Sequence, residues 1–275
     1  MHTHGRRRPL ARNIFFPMVL GAEFLFGSMA SAMPVAPVLV DNTALLAPAP
    51  QTNRSLNWAG YVADGANITS VSGTWVVPPV DSENRLAADA TWVGVGGIKN
   101  LNLIQAGTQA VVDPSGGVQY QAWVEGLPNE SKPVALAVNP GDTMSATISE
   151  ESAGLWRISL RNLTTGKSYE MHMPYDSTHA SAEWIQEKPM GNVSIALDEF
   201  HHADFLSASM VQQGVAMTPL EAHAHALTMV NAAGEVIAVP SMLDEHGSAF
   251  RVDRTDASSS GAGKTFEEDM AKKAH

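Results

Sequence analysis

Short runs of β-branched and aromatic residues recur through the middle of the chain, and no stretch of it shows a sustained helical period. Turn residues separate the runs, as at Pro140-Gly141-Asp142 and Asn231-Ala232-Ala233-Gly234, because proline fixes φ and glycine permits positive φ. Many short strands at nearly regular spacing are typical of an all-β antiparallel sandwich or barrel. The predicted strands are Trp58–Val62, Val71–Val77, Ala90–Val95, Leu103–Gln105, Val118–Glu125, Met144–Ser149, Trp156–Asn162, Ser168–His172, Ala182–Glu187, Val193–Ala196, Leu227–Val230 and Val236–Val239.

The composition narrows the classes of protein that remain. The 275 residues include no cysteine, which excludes a disulfide scaffold, thiolate metal sites and a cysteine nucleophile. Hydrophobic residues make up 44% and the net charge is -11 at pH 7, so we expect a folded, acidic protein. A basic run occurs only near the N-terminus, which argues against nucleic acid as a partner.

The first 32 residues have the pattern of a secretory signal peptide. Four arginines between Arg6 and Arg12 precede the mostly apolar run Ile14–Gly27, and Ala30-Ser31-Ala32 offers a cleavage site of small residues. An uncleaved anchor is the alternative, but the apolar run is short of the roughly 20 residues of a spanning helix, and Glu23 interrupts it. We therefore expect a secreted protein, extracellular or periplasmic, without membrane association once the signal is removed.

The remaining chain divides into three segments by composition. Residues 33–54 contain four prolines and no sustained period, which indicates a linker or pro-segment. Residues 55–252 carry the predicted strands. Residues 253–275 are rich in Ser, Gly, Lys and Glu, so this tail is predicted to be disordered.

Common catalytic signatures are missing from the sequence. It has no Gly-x-Ser-x-Gly elbow, no His-Glu-x-x-His zinc motif, and no Asp-Thr-Gly or Asp-Ser-Gly of a paired-aspartate peptidase. Four histidines are candidate metal ligands, but they lie in a region with few acidic residues that could complete a metal site. We therefore interpret them as solvated loop residues. Asp198-Glu199 is interpreted in the same way, as a polar loop. The four histidines are His201, His202, His223 and His225. No metal or other cofactor is expected.

Several polar residues fall on strands that otherwise carry aromatic residues. Alternation places Gln121, Trp123 and Glu125 on one face of their strand, and Glu183, Ile185 and Glu187 on one face of theirs. An ordinary sandwich would direct such carboxylates towards water. A polar row bordered by tryptophans would instead form a substrate groove. The periodicity alone does not separate these two interpretations.

Five segments in this order resemble the glutamic peptidases, or eqolisins, which are secreted acid endopeptidases of fungi and bacteria. The resemblance extends from about Asn57 to Val252, and its specificity comes from the ordered set rather than from any one segment. The segments are Asn57-Trp58-Ala59-Gly60-Tyr61, Trp92-Val93-Gly94-Val95-Gly96-Gly97, Leu103-Ile104-Gln105-Ala106-Gly107, Tyr120-Gln121-Ala122-Trp123-Val124-Glu125 and Ala182-Glu183-Trp184-Ile185-Gln186-Glu187.

The resemblance implies a fold and a set of site residues. The fold is a concanavalin-like β-sandwich of two large antiparallel sheets with little helix, which makes residues 55–252 the catalytic domain. The catalytic pair falls on Gln105 and Glu187. The expected substrate-binding residues are Trp58, Trp92, Trp123, Glu125 and Glu183.

Two features depart from the fungal members of this family. Those members often have Asp where this chain has Gly96, which removes a carboxylate from the groove. They also carry disulfides, whereas this chain has no cysteine, so the chain looks like a bacterial-type member.

The implied chemistry is hydrolysis of peptide bonds by protein groups alone. Glu187 as a carboxylate takes a proton from water and returns it to the leaving nitrogen, while the Gln105 amide stabilises the oxyanion. Such a base would work near an ordinary carboxyl pKa of roughly 4.3. We expect protein or peptide substrates and a monomer.

Two other functions remain open at this point. A glycoside hydrolase would use Glu125 and Glu187 as its two carboxyl groups, with tryptophans stacking on sugar rings. A binding module for carbohydrate or peptide would have no turnover. Taken alone, Gln105 could be a polar residue beside a turn, and Glu187 a salt-bridge partner of Lys188 or Arg157.

The N-terminal pattern predicts that the secreted protein begins after Ala32, with further trimming within the proline-containing residues 33–54, which show no sustained period. Mass spectrometry of the protein recovered outside the cell checks this expectation. Recovery of a chain that still begins at Met1 would contradict the assignment of a signal peptide.

Overall fold

The computed structural model describes residues 39–40, 53–81, 85–98, 101–190 and 195–255. The predicted signal peptide, most of the predicted linker and the tail beyond residue 255 lie outside the described residues. The described part contains twenty β-strands and no α-helix. No helix in it has the length and apolar character needed to cross a bilayer.

The strands follow one another with short connections. In chain order they are β1 (Leu39–Val40), β2 (Asn53–Ser55), β3 (Trp58–Asp64), β4 (Ile68–Val76), β5 (Val80–Asp81), β6 (Ala87–Gly96), β7 (Leu103–Val112), β8 (Val118–Gly126), β9 (Lys132–Pro133), β10 (Thr143–Ser152), β11 (Leu155–Asn162), β12 (Lys167–Pro174), β13 (Ser181–Glu187), β14 (Ala196–Leu197), β15 (Glu199–Phe200), β16 (His202–Gln212), β17 (Val215–Met217), β18 (His225–Val230), β19 (Val236–Pro240) and β20 (Phe250–Arg254).

Hydrogen bonding arranges the long strands into two antiparallel sheets. The front sheet has the order β18-β3-β13-β6-β7-β8, and the back sheet has the order β20-β16-β4-β10-β11-β12. Strand β19 pairs with both β18 and β20 and so joins the two sheets along one side. Only the short pairings of β14 with β6 and of β2 with β18 are parallel among the described strands. The predicted all-β sandwich is confirmed.

The core lies between the two sheets and consists of alternate residues of the long strands. Val93, Ala106 and Trp184 face it from the front sheet, and Trp75 and Ile148 face it from the back sheet. Two indole groups donate hydrogen bonds across it. Trp75 Nε1 donates to Thr108 Oγ1 at 2.9 Å, and Trp184 Nε1 donates to the Ser72 carbonyl oxygen at 2.8 Å. The layers are thus joined by directional bonds as well as by apolar contact.

The longest strand is absent from the sequence prediction. Strand β16 has eleven residues and pairs with β4 and β20, but its register with β4 shifts between Phe205 and Ser207. This bulge breaks the alternation on which strand prediction depends. The interpretation of His202 and His225 as loop residues is therefore wrong, because they begin β16 and β18. The polar-loop interpretation of Asp198 is also wrong, because its side chain is fully buried.

The bond between Trp75 and Thr108 makes a testable contribution to stability. Replacing Trp75 by Phe leaves a buried hydroxyl without its donor and loses ring volume, so the free energy of unfolding should fall by about 2 kcal/mol. Urea unfolding of Trp75→Phe, Thr108→Val and the double variant measures this. The free energy of unfolding of the double variant should fall by less than the sum of the decreases in the two single variants. Strict additivity of these decreases would contradict a direct bond.

Candidate active site

The outer face of the front sheet, which points away from the back sheet, carries a second apolar cluster. We call it the tryptophan face. Its members are Trp58, Val62, Ala90, Trp92, Leu103, Trp123, Leu127, Ile185 and Leu227. The polar residues predicted for the site alternate with these members on the same face of β7, β8 and β13. The structure therefore sets carboxyl and amide groups into an apolar surface.

Gln105 lies in the middle of this face, where its neighbours are fixed by strand register. It is opposite Gly94 on β6 and opposite Glu125 on β8. Its Nε2 donates a short hydrogen bond to Glu125 Oε2, while its Oε1 has no hydrogen-bond partner among the described residues. Because a carboxamide nitrogen has two hydrogens, the bond to Glu125 leaves a second N–H for another acceptor.

Glu187 is at the end of β13, opposite Trp58 on β3 and Ala90 on β6. Trp92 Nε1 donates to Glu187 Oε2 at 2.7 Å, and Asn57 Nδ2 donates to Oε1 at 3.4 Å. The rings of Trp58 and Trp92 meet edge to face, with centroids 5.0 Å apart. The Asn57-Trp58 and Trp92 segments of the sequence thus meet around one carboxyl group. Sequence reasoning assigned no role to Asn57.

Burial dominates the titration of Glu187. It raises the pKa of this carboxyl to about 8, against the lowering effect of the Trp92 N–H, and the charge of Glu125 raises it further. The effect of Glu125 means that the two carboxyl groups lie within electrostatic range. The pKa of Glu125 is itself raised to about 7 by burial, against the bond from Gln105. The expectation that Glu187 titrates near its ordinary value is therefore wrong.

Glu183 is on the tryptophan face but has different neighbours. Its side chain is fully buried, and burial raises its pKa well above the ordinary value. The groups that act on its titration are Ser181 and Asp64. Its predicted contact with substrate stays a prediction, and in this structure the carboxyl is shielded from solvent.

The three tryptophans predicted to border the groove are all on this face, but they are buried. The exposed fraction is 0% for Trp58 and Trp92 and 4% for Trp123. They surround the carboxyl groups as apolar walls and do not present open ring faces. The salt bridge considered for Glu187 is also not observed with Arg157, which pairs with Glu170 at 2.7 Å.

The local backbone and packing require glycine at two positions of the site segments. A Cβ at Gly107 would contact the Trp92 Cβ at 2.5 Å, so glycine there permits the close packing of Trp92. Gly96 has φ of +89°, and a Cβ there would collide with the carbonyl oxygen of Asn102. An aspartate at position 96 would therefore need a different backbone, and the departure noted in the sequence is part of the local fold.

The histidines do not assemble into a metal site in the described part of the chain, where no group of three or more His, Asp and Glu side chains could hold an ion. His201 contacts Asp81 at 3.2 Å, and His225 contacts Asp64 at 3.7 Å. The absence of a cofactor stays a prediction.

Comparison with known proteins was made on sequence and on structure. The sequence model of the peptidase A4 family matches residues 56–247. Aspergillopepsin-2 of Aspergillus niger is 26% identical over 194 residues, which are 61% of this chain and 68% of that protein. Scytalidopepsin B of Scytalidium lignicola is 29% identical over 136 residues, which are 48% of this chain and 51% of that protein.

Solved structures of similar fold include two peptidases. Scytalido-glutamic peptidase with a transition state analog inhibitor has a TM-score of 0.63 at 22% identity, covering 72% of this chain and 98% of that one. Aspergilloglutamic peptidase from Aspergillus niger has a TM-score of 0.55 at 23% identity, covering 62% of this chain and 99% of that one. The likeness confirms the fold. These relatives are fungal, so the bacterial-type assignment stays a prediction.

The environment of Glu187 predicts how its titration responds to mutation. Trp92→Phe removes an N–H donor that favours the ionised form, so the pKa of Glu187 should rise by about one unit. Carbon-13 NMR titration of labelled glutamate side chains measures it, with Glu187→Gln to assign the signal. Trp123→Phe is the matched control, because Trp123 Nε1 has no hydrogen-bond partner among the described residues. An unchanged or lower pKa in Trp92→Phe would contradict the bond.

Proposed function

The chain belongs to the peptidase A4 family and is a glutamic endopeptidase, and on this premise we propose that Gln105 and Glu187 carry out its reaction. The observation that supports this pair most directly is that the two side chains share one apolar sheet face. An amide with a spare N–H and an unpartnered oxygen shares the tryptophan face with a carboxyl group that holds its proton in acid.

Gln105 supplies a neutral donor and a neutral acceptor. Glu125 accepts from Nε2 through a carboxyl oxygen, which fixes the orientation of the amide. The second N–H of Nε2 then stabilises the oxyanion that forms on the scissile carbonyl, and Oε1 accepts from the attacking water. Since an amide does not titrate, Gln105 keeps both roles throughout the acid range.

Glu187 supplies the proton chemistry. With a pKa of about 8 it is protonated in acid before substrate arrives, which reverses the starting state expected from sequence. As the new C–O bond forms, Glu187 gives its own proton to the scissile nitrogen, and its second carboxyl oxygen accepts a proton of the attacking water. The C–N bond then breaks in the resulting intermediate, which carries an oxyanion and a protonated nitrogen. The carboxyl group ends with one proton, as it began, and the products are a free acid and a free amine.

This order of proton transfer determines whether the catalytic activity rises or falls with pH. The active form of Glu187 is the protonated one, so activity is highest in acid and falls as the pH rises through the titration of Glu187. The chain is therefore proposed to be an endopeptidase that is active in acid, in agreement with the resemblance, although the ordinary carboxyl pKa is not the reason. A pKa of about 8 for Glu187 extends this activity up to neutral pH.

Export is the second part of the proposal. The arginine-rich start, the apolar run and the Ala30-Ser31-Ala32 site support secretion of a catalytic domain of residues 55–252. The lack of cysteine supports the bacterial-type assignment. Protein and peptide chains are the proposed substrates, acted on by a monomer without a cofactor.

The glycoside hydrolase alternative receives less support. It needs tryptophan ring faces that a sugar can reach, and Trp58 and Trp92 are fully buried. It also gives no role to Gln105, whose amide is bonded directly to Glu125.

If Gln105 and Glu187 carry out the reaction, two substitutions that keep side-chain size should strongly reduce catalytic activity. Glu187→Gln removes the transferable proton, and Gln105→Glu replaces a neutral donor with an ionisable group. Each should lower kcat by at least about 100-fold, since removal of a single oxyanion donor has an effect of that order. Peptide cleavage near pH 4 measures kcat, and circular dichroism confirms that each variant folds.

Glu183→Gln is the matched control, because Glu183 is on the same strand face but outside the contacts of the pair. The Glu183→Gln variant should keep far more activity than Glu187→Gln. The activity of the wild-type protein should survive both EDTA and pepstatin. Near-normal kcat in folded Glu187→Gln would exclude Glu187. Cleavage of a polysaccharide, or loss of activity to EDTA with recovery on adding zinc, would exclude the proposed chemistry.

A further inference from the structure

A second pair of buried carboxyl groups lies behind the candidate site, and the mechanism does not use it. Strand β14 runs parallel to β6, with Ala196 beside Ala87 and Leu197 beside Ala88. Continuing this register by one residue would place Asp198 beside Asp89. The exposed fraction is 0% for Asp198 and 2% for Asp89, and each carboxyl group acts on the titration of the other.

Asp89 is connected to the catalytic strand through Gln186. The Gln186 Nε2 donates to Asp89 Oδ2 at 2.5 Å, and its Oε1 accepts from Thr91 Oγ1 at 2.6 Å. Asp89 Oδ1 also accepts from the Ala110 backbone N–H at 3.2 Å. Gln186 immediately precedes Glu187 on β13. The aspartate pair therefore supports the segment of backbone that carries Glu187.

The pair needs a proton to remain assembled. Neither oxygen of Asp198 has a hydrogen-bond partner among the described residues, although the Phe200 backbone N–H favours its ionised form. A direct bond between the two aspartates therefore requires a proton on one carboxyl group. Two adjacent buried carboxylates would repel each other in a medium of low dielectric constant.

One cation lies close to the pair and favours the ionised form of Asp198. Arg254 faces Asp198, but its guanidinium also donates to the Leu197 carbonyl oxygen at 3.1 Å and pairs with Glu199 at 3.3 Å. Tyr120, on β8, accepts from the Val80 backbone N–H, and its pKa is raised by burial and by the charges of Asp89, Asp198 and Asp81.

We propose that Asp89 and Asp198 are positioning residues that share a proton and hold the end of β13 in place, so that loss of this proton releases Glu187. The proposal rests on the catalytic role given to Glu187. Burial raises the pKa of both aspartates, which agrees with a shared proton at acid pH. Since the folded state binds the extra proton, the contribution of the pair to stability falls as the pH rises above the ordinary aspartate value.

Hydrogen exchange of the wild-type protein between pH 5 and pH 8.5, corrected for intrinsic exchange rates, tests the release directly. Backbone amides of β14, of the start of β6 and of the end of β13 should lose protection at a lower pH than those of β10 and β11. Uniform loss of protection across both sheets would overturn the proposal. This readout needs no activity, and the same loss in Glu187→Gln separates it from a failure of the proposed catalytic pair.

Asp198→Asn tests the shared proton, because an asparagine amide donates to Asp89 at every pH. After incubation at each pH, activity is assayed at pH 4 relative to an untreated sample of the same variant. The pH of half-inactivation should rise by about one unit in Asp198→Asn. It should not change in Glu245→Gln, which removes an exposed carboxylate. A midpoint equal to that of the wild type would overturn the proposal, and if Asp198→Asn does not fold, Asp89→Asn and the wild-type exchange data decide.

Discussion

Burial of carboxyl groups in an apolar sheet face is the constraint on which the site depends. Glu187 lies among Trp58, Trp92 and Ile185, where a charge without partners would be strongly unfavourable. The Trp92 N–H and the Asn57 amide provide partners for its oxygens, and Gln105 does the same for Glu125. The donors are too few to outweigh burial, so the carboxyl groups keep their protons well above an ordinary pKa.

The same constraint links catalysis with stability. Each carboxyl group whose pKa is raised by folding favours the folded state most at low pH, and this contribution declines as the pH rises, by up to about 1.4 kcal/mol per unit and group. Glu125, Glu183 and Glu187 on the front of the sheet share this property with Asp89 and Asp198 behind it. Under the proposed mechanism, a chain built in this way is suited to acid solution both in its reaction and in its fold.

Much of the architecture could be predicted from local pattern. Alternation correctly grouped Trp123 with Glu125 and Glu183 with Glu187, because the period of a strand determines which side chains share a side. Only the family resemblance joined Gln105 with Glu187. Strand β16 could not be found in this way, since its bulge interrupts the period. The burial of Asp198, the contact of Asn57 with Glu187 and the raised pKa of Glu187 arise from segments far apart in the chain, which no single stretch of sequence reports.

The central claim is that Glu187 acts in its protonated form. The most direct test compares the pH dependence of kcat/KM for one peptide with the carbon-13 NMR titration of Glu187 in the same protein, for the wild type and for Glu125→Gln. The account predicts that activity falls with rising pH at the midpoint of the Glu187 titration. Both midpoints should move to lower pH together when the charge of Glu125 is removed. Activity that rises with pH through the Glu187 titration would contradict the account, because the carboxylate would then be the active form.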